Sequence, residues 1–204
     1  MTFTLATWNI NSVRLRKNLV MDLMREEGPD VLCLQECKSP VDKMPTDEFA
    51  ELGYPHFVAN GQKGYNGVAI FSKTLITEVG RYEFAGLDHA RHIAGQLENG
   101  VTVHNFYVPA GGDEPNREKN IKFGQKLDYL TDMRDHFAAD TPTKAILVGD
   151  LNIAPRADDV WDHKKMLKVV SHTHIEVEHL AEVQAAGNWV DVTRQDIADG
   201  LLYS

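Results

Sequence analysis

Polar side chains that can hold a metal ion or a water molecule follow an apolar run near the middle of the second half of the chain. In "LVGDLNIAP", Asp150 and Asn152 are separated only by Leu151. A strand alternates its faces, so residues two apart project the same way while the residue between them returns to the core. Pro155 then prevents a regular continuation. We therefore expect Asp150 and Asn152 to share one oxygen-rich side where a strand ends.

Three other apolar runs end in polar residues of similar chemistry. Asn9 and Asn11 share one face of "TWNIN". Glu36 continues the apolar face of "VLCLQE", and Tyr107 closes "VHNFYVP". Such residues are also what a strand end in water requires, so each alone is ambiguous. Together they offer hard oxygen ligands with few charges, which suits Mg²⁺ or Mn²⁺ better than zinc. Spacing alone leaves a cation site and ordinary solvated strand ends both open.

The elements that must position these residues alternate between strands and helices. Apolar runs of strand length are found in "TFTLATWNI", "DVLCLQE", "GVAIFSK", "VTVHNFYV" and "AILVG". The stretch 68–108 joins strands without room for crossover helices, which favours mixed sheets over purely parallel ones. The order of elements predicts an α/β layered domain.

Three helices are predicted from residues that recur every three or four positions. The first covers "SVRLRKNLVMDLMREEG", with Ser12 as the N-cap and Leu15, Leu19 and Leu23 on one face. The second carries an apolar face of Phe123, Leu127, Leu130, Met133 and Phe137. The third covers "IEVEHLAEVQAAG" and ends at Gly187.

Composition limits the class of protein. The 204 residues, 43% of them apolar, predict one substantial core and a single domain. We expect no membrane span and no secretory signal in "MTFTLATWNI". Cys33 and Cys37 are too far apart in an extended segment for a disulfide, so we expect reduced thiols in a cytoplasmic protein. No obligatory protein partner is evident.

Charge leaves the question of a nucleic-acid partner open. The net charge of −9 argues weakly against one. "RLRK", "KK" and the lysines at 119, 122 and 126 are compatible with a local positive face, and equally with solvated helix faces.

Histidines and tryptophans outside these runs have structural interpretations. His172, His174 and His179 lack the cysteine or HExxH context of a zinc site, so solvent-facing histidines are favoured. Trp161 and Trp189 are predicted to be packing residues rather than platforms for base stacking.

The motifs in this order resemble a known family. "WNINSVRLR", "PDVLCLQECK", "GYPHFVANGQKGYNGVAIFSK", "NFYVP" and "ILVGDLNIAP" cover nearly all of the chain. They resemble the bacterial exonuclease III-type abasic-site endonucleases of the endonuclease/exonuclease/phosphatase superfamily. The resemblance implies a four-layer, deoxyribonuclease-I-like α/β sandwich, with two mixed sheets flanked by helices. It implies hydrolysis of duplex DNA 5′ to abasic sites and from 3′ ends, with Mg²⁺ or Mn²⁺.

The resemblance also assigns roles to the strand-end residues. Glu36, with Asn9 beside it, matches the acid that holds the metal, and Asp150 matches the residue that orients and deprotonates water. Asn152 matches the amide that stabilises charge on the phosphate, and Tyr107 matches the active-site tyrosine. The implied metal set is thus Asn9, Glu36, Asp150 and Asn152. Substrate contacts are implied for Asn11, Gln62, Lys63 and Arg91.

Part of the family pattern is not found among the 204 residues. The resemblance implies an aspartate in a strand and a terminal Asp-His pair beyond "DGLLYS", so the domain is expected to be C-terminally incomplete. A polypeptide ending at Ser204 is expected to be inactive unless His92 or His104 replaces that histidine. Two alternatives are a superfamily phosphatase acting on a small molecule and, for residues 1–204 themselves, a catalytically silent DNA-binding or interaction module.

Overall fold

The structure, a computed structural model, describes residues 2–202. These residues form eight strands and six α-helices. The strands are β1 (Leu5–Asn9), β2 (Val31–Gln35), β3 (His56–Asn60), β4 (Val68–Ser72), β5 (Ile76–Gly80), β6 (His92–Leu97), β7 (Thr102–Tyr107) and β8 (Ala145–Asp150). The helices are α1 (Lys17–Glu26), α2 (Thr46–Glu51), α3 (Ile121–Ala139), α4 (His163–Met166), α5 (His174–Ala186) and α6 (Val192–Asp196).

The chain divides into two compact units. The first comprises the chain up to Tyr107 together with Lys144–Asp150, and it contains all eight strands with α1 and α2. The second comprises Val108–Thr143 and the chain from Leu151 onward, and it contains the other helices.

Both sheets of the first unit are mixed, as predicted. One has the order β1-β2-β4-β3, in which only β1 and β2 are parallel. The other has the order β5-β6-β7-β8, in which only β7 and β8 are parallel. The α/β class with two mixed sheets is therefore confirmed.

The two sheets pack face to face through an apolar layer. Its buried members are Val31, Cys33, Val58, Val68, Ile70, Ile76, Ile93, Leu97, Val103 and Tyr107. The opposite face of the first sheet packs against α1 and α2 through a second cluster, which includes Val20, Met24, Leu32, Leu34, Phe49 and Phe71. Both cysteines are free, in line with the expected reduced thiols, and both are buried.

The first helix begins later than predicted. It starts at Lys17 rather than near Ser12, and Ser12 is not its N-cap. The Ser12 N–H instead donates to the Glu36 carbonyl, and its φ of 90° is incompatible with a helix. The predicted apolar face was wrong at Leu15 and Leu19, which are exposed, whereas Leu23 packs against the core beside the buried Val20 and Met24. Pairing with a distant segment therefore overrides the local helical pattern.

The second unit confirms the other two helices. α3 and α5 pack against each other, and the five predicted face residues of α3 are all buried. A capping box formed by Thr173 and Glu176 starts α5, and Gly187 follows its last residue, as predicted.

Three predictions about polar and aromatic residues of the second unit were wrong. Lys126 lies on no positive or solvated face, because it is fully buried with Glu176 at 2.5 Å. His172 is buried between the His163 ring and the Ala154 carbonyl. Trp161 is 66% exposed, with Lys165 over its ring. Trp189 packs edge-on against Phe137, in line with its predicted role.

No helix within residues 2–202 combines the length and hydropathy needed to cross a membrane.

Candidate active site at the strand ends

The sheet topology brings four carboxyl-terminal strand ends together in pairs. β1 and β2 run parallel with Asn9 opposite Gln35, so their ends lie at one edge of the first sheet. β7 and β8 run parallel with Tyr107 opposite Asp150 in the second sheet. The predicted site residues Asn9, Glu36, Tyr107 and Asp150 therefore all lie at or just beyond the ends of these four strands.

Direct hydrogen bonds join these residues into one cluster. The Asn9 amide Nδ2 donates to Glu36 Oε1 at 2.9 Å and to Asp150 Oδ2 at 2.8 Å. The Tyr107 hydroxyl donates to the same Glu36 Oε1 at 2.8 Å. One carboxylate thus links the ends of both sheets, and the structure brings together four of the predicted residues.

Glu36 reaches this cluster by a route that strand alternation does not predict. Leu32 and Leu34 point into the apolar core that packs against α1 and α2, and strand alternation would place Glu36 on that same face. The strand ends at Gln35, however, and Glu36 has a φ of 51°. This left-handed backbone carries the carboxylate to the side where Asn9 and Tyr107 lie, so the predicted face was wrong while the predicted location was right.

The Asn9 amide presents its nitrogen to the carboxylates. Its Oδ1 accepts from the Asn11 N–H at 3.2 Å, which fixes the orientation of the amide. Asn9 is therefore placed to hold Glu36 and Asp150 together rather than to present its amide oxygen to a cation. A nearby amide donor of this kind fixes the orientation of ligating carboxylates.

The donor set fits a magnesium-type cation. Glu36 and Asp150 supply two carboxylates, and one or two are usual for a Mg²⁺ ion that also keeps bound waters and substrate oxygens. Within residues 2–202 no group of three or more His, Cys, Asp and Glu side chains is placed to hold a metal ion.

Lys38 supplies a positive charge at the same carboxylate. Its Nζ lies 2.8 Å from Glu36 Oε2 and donates to Asn11 Oδ1 at 2.5 Å. Partial burial works against ionisation of Glu36, whereas hydrogen bonds from Lys38, Asn9 and Tyr107 and the charge of Lys38 favour it. The net effect lowers the pKa of Glu36 below its usual value, so its carboxylate is held ionised.

The Tyr107 hydroxyl is held in its neutral form. Burial first, and then the hydrogen bond and charge of Glu36, raise the pKa of Tyr107 well above that of a free tyrosine. The Arg91 guanidinium lies 4.7 Å from the centre of the Tyr107 ring and donates to the Tyr107 carbonyl at 3.2 Å. Arg91 therefore lies beside Tyr107. Tyr107 can act as a hydrogen-bond donor but not as a base at neutral pH.

Gln62 and Lys63 lie in the loop between β3 and β4, outside the hydrogen-bonded cluster. The loop is fastened near the site because the Asn66 carbonyl accepts from the Lys38 N–H and the Gly67 N–H donates to the Ala90 carbonyl. Lys63 is exposed and Gln62 is half-buried.

Asn152 belongs to the second unit, and strand alternation does not explain its position. β8 ends at Asp150, and Asn152 has a left-handed φ of 53°, so the argument that the two share a strand face was wrong. Its Nδ2 donates to the Val108 carbonyl at 2.9 Å. The buried Lys126 donates to the Asn152 carbonyl at 2.7 Å, which fixes the backbone there.

His92 and His104 cannot take the place of an active-site histidine. In β7, His104 alternates with Tyr107 and lies on the opposite face of the sheet. His92 Nε2 lies 3.2 Å from His104 Nδ1, and His92 is fully buried against Phe106. The structure therefore places neither residue in the hydrogen-bonded cluster of Asn9, Glu36, Tyr107 and Asp150.

Several residues that shape the site were not predicted. Lys38, Gln35 and Asn105 each lie one or two positions from a predicted residue, so adjacency to a site motif was the available signal. Gly149 was signalled only by its place before Asp150. A Cβ at Gly149 would lie 1.9 Å from the Phe106 carbonyl oxygen, so only glycine allows β7 and β8 to pair at this point.

Comparisons with known proteins agree with this geometry. The sequence model of the Endonuclease/Exonuclease/phosphatase family matches residues 6–196. Exodeoxyribonuclease III of Haemophilus influenzae is 30% identical over 161 residues, which are 76% of this chain and 59% of that protein. The chain thus spans less than two thirds of the length of that relative.

Solved structures match the whole chain. An AP endonuclease from Archaeoglobus fulgidus gives a TM-score of 0.91 at 30% identity, covering 100% of this chain and 77% of that one. A 3′ phosphatase from Neisseria, bound to product DNA hairpin, gives 0.89 at 29% identity, covering 100% and 78%. These matches confirm the deoxyribonuclease-I-like α/β sandwich.

Proposed function

The chain belongs to the endonuclease/exonuclease/phosphatase family, and we propose that it is a DNA-repair nuclease. It hydrolyses phosphodiester bonds in duplex DNA, 5′ to abasic sites and from 3′ ends. The family match runs continuously through both compact units, which supports assigning them to one domain. The names of its relatives, an exodeoxyribonuclease III and an AP endonuclease, support this substrate over a phosphorylated small molecule.

One observation carries the proposal. Asn9 joins the Glu36 and Asp150 carboxylates within hydrogen-bond distance, and Tyr107 donates to the same Glu36 oxygen. Four strand ends thereby place two carboxylates, an amide and a neutral phenol together. Such an arrangement suits phosphodiester hydrolysis, which needs a base for water and positive or donor groups for the phosphate.

A divalent cation, Mg²⁺ or Mn²⁺, would be held chiefly by Glu36, with Asp150 next to it as the base, and Asn9 would orient both carboxylates. When bound, it would neutralise charge on the phosphate oxygens. The resemblance also placed Asn9 and Asn152 among the ligands. The orientation of the Asn9 amide favours a supporting role for that residue.

The other roles belong to the side chains of this chain. Asp150 accepts a proton from the attacking water, for which a carboxylate fixed by Asn9 is suited. The Tyr107 hydroxyl donates to Glu36 in the free protein, and with substrate bound it turns its one proton to an oxygen that gains negative charge. Asn152, two residues beyond Asp150 in the chain, stabilises charge on the phosphate. A single donor of this kind contributes roughly 2.7–4 kcal/mol to the transition state.

Substrate contacts fall to residues around this cluster. Arg91, beside Tyr107, and Lys63, exposed in its loop, carry charges that suit DNA phosphates. Asn11 and Gln62 are assigned to the same surface, Asn11 through its contact with Lys38.

The proposal is tested with the protein prepared from its complete open reading frame. A labelled duplex with one synthetic abasic site is incubated with Mg²⁺, with Mn²⁺ and with excess chelator. We expect a cut 5′ to the site, a 3′-hydroxyl that a polymerase extends, and no cutting in chelator. Undiminished activity in chelator would exclude a metal-dependent nuclease.

The same preparation separates the alternatives. Release of inorganic phosphate from a 3′-phosphorylated duplex without incision would make the protein a phosphatase. Duplex binding without either reaction would make it a silent binding module.

A further inference from the structure

A buried polar contact between the two sheets lies next to the hydrogen-bonded cluster of Asn9, Glu36, Tyr107 and Asp150. Asn105 of β7 is fully buried, and its Nδ2 donates to the Leu34 carbonyl at 3.0 Å and the Ala69 carbonyl at 2.9 Å. Its Oδ1 accepts from Gln35 Nε2 at 2.6 Å. One side chain of the second sheet is thus bonded to β2 and β4 of the first.

Gln35 extends this contact to a third strand. It is 1% exposed, and its Nε2 also donates to Thr7 Oγ1 of β1 at 3.0 Å. We name Asn105 and Gln35, with these bonds, the inter-sheet clamp. All of its members lie within the first compact unit.

The clamp is surrounded by apolar side chains, whose contacts are not directional. Val103 and Tyr107 flank Asn105 on the same face of β7 and belong to the apolar layer between the sheets. Burial of apolar surface is non-directional, so it tolerates sliding of one sheet over the other. Hydrogen bonds have narrow limits of distance and angle, so the clamp fixes the register of the two sheets.

The position of the clamp relates this register to the site. Gln35 directly precedes Glu36, and Asn105 lies two residues before Tyr107 on the same strand face, about 7 Å away along the strand. The clamp therefore lies next to the 2.8 Å contact between the Tyr107 hydroxyl and Glu36 Oε1, on the side toward the interior of both sheets.

We propose that Asn105 and Gln35 are positioning residues that align Tyr107 with Glu36 across the two sheets. This rests on the proposed function, because the alignment matters for rate only if both residues act in phosphodiester hydrolysis. Neither Asn105 nor Gln35 needs to touch substrate. A misalignment of about 1 Å costs on the order of 100-fold in rate, so loss of the clamp should reduce kcat.

The test replaces the clamp by apolar side chains of similar size. In Asn105→Leu/Gln35→Met both amides are removed together, so neither amide is left buried without the other. The Leu34 and Ala69 carbonyls and the Thr7 hydroxyl each lose one donor, so folding is checked first by denaturant unfolding. Val103→Ala is the matched control, since it loosens the same face of the same strand without touching the clamp. If the double variant does not fold, Asn105→Leu alone, which leaves Gln35 bonded to Thr7, is measured in its place.

Two readouts are taken on the protein from the complete open reading frame. The first is the kcat and KM for incision of the abasic duplex. The second is the ¹³Cζ chemical shift of Tyr107 in tyrosine-labelled protein, assigned with Tyr107→Phe, which reports the hydrogen bond to Glu36 directly. We expect kcat to fall roughly 10- to 100-fold with KM within about twofold, and the Tyr107 signal to move or broaden. Val103→Ala should change neither readout.

Other outcomes overturn the proposal or separate it from the proposed function. An unchanged Tyr107 signal in the clamp variant overturns it, as does an equal loss of kcat in Val103→Ala. If the unmodified protein cuts no DNA, the proposed function fails. In that case the ¹³Cζ chemical shift of Tyr107 alone tests whether the clamp aligns Tyr107 with Glu36.

Discussion

The Tyr107 hydroxyl lies 2.8 Å from Glu36 Oε1, so the end of a strand in one sheet is bonded directly to the end of a strand in the other. Burial and the Glu36 carboxylate together raise the pKa of Tyr107. The phenol therefore serves as a fixed donor whose proton is retained through the physiological pH range.

This bond predicts a pH-dependent contribution to stability. The folded pKa of Tyr107 is raised, so its stabilising effect is complete below the pKa of an unfolded tyrosine, about 10, and is lost as pH rises above it. The difference in unfolding free energy between the unmodified protein and Tyr107→Phe should shrink between pH 9 and pH 11. Denaturant unfolding at each pH measures it, and a constant difference would contradict the raised pKa.

Lys38 is expected to compete with a divalent cation for Glu36. Its ammonium lies 2.8 Å from Glu36 Oε2, so Lys38→Met should raise the affinity of the site for Mn²⁺ by several-fold. Calorimetric titration with Mn²⁺ measures this change. Lys43→Met is the matched control, because Lys43 is exposed and pairs only weakly with Asp42. Weaker binding in Lys38→Met would contradict the competition.

Gly149 is expected to be irreplaceable for steric reasons. Gly149→Ala would place a Cβ against the Phe106 carbonyl between β7 and β8, and its φ of 136° is unfavourable for alanine. We expect a loss of unfolding free energy of at least roughly 1–3 kcal/mol. Gly64→Ala separates strain from clash, because Gly64 has a φ of 94° but no atom within 4 Å of a Cβ. Equal losses in the two variants would show that strain alone is responsible.

The buried ion pair of the second unit predicts a non-additive stability effect. Lys126→Met leaves the Glu176 carboxylate buried without its cation, which should cost roughly 3–5 kcal/mol. Adding Glu176→Gln removes that charge and keeps an acceptor for the Ser171 and Thr173 N–H groups, so the double variant should recover part of the loss. Chemical denaturation of both variants tests this, and Lys122→Met on the exposed face of α3 should be neutral. A double variant that is less stable than Lys126→Met would contradict this account.

The sequence predicted the site better than the backbone that forms it. Asn9, Tyr107 and Asp150 were predictable because a polar residue that ends an apolar run is visible locally. The turn of Glu36 and the late start of α1 were not, because both depend on the Ser12 N–H bonding to the Glu36 carbonyl across the chain. Local patterns contain no information about such distant partners.

Burial of polar residues was the other feature that the sequence did not reveal. Lys126 and Glu176 are charged residues on helices with polar faces, and their pattern is typical of a solvated surface. Asn105 stands within a strand run, where alternation alone gives no reason to expect a buried amide. Each is buried because its partner lies tens of residues away in the chain, as Gln35 does for Asn105.

The division of roles between Asp150 and Glu36 is the central claim, and the rate of abasic-duplex incision as a function of Mg²⁺ concentration tests it most directly. Asp150→Asn should lower the rate by orders of magnitude at every Mg²⁺ concentration, because the base for water is lost while the shape is kept. Glu36→Gln should shift the Mg²⁺ dependence to higher concentration and be partly rescued there. The same Mg²⁺ dependence in both variants would contradict the account.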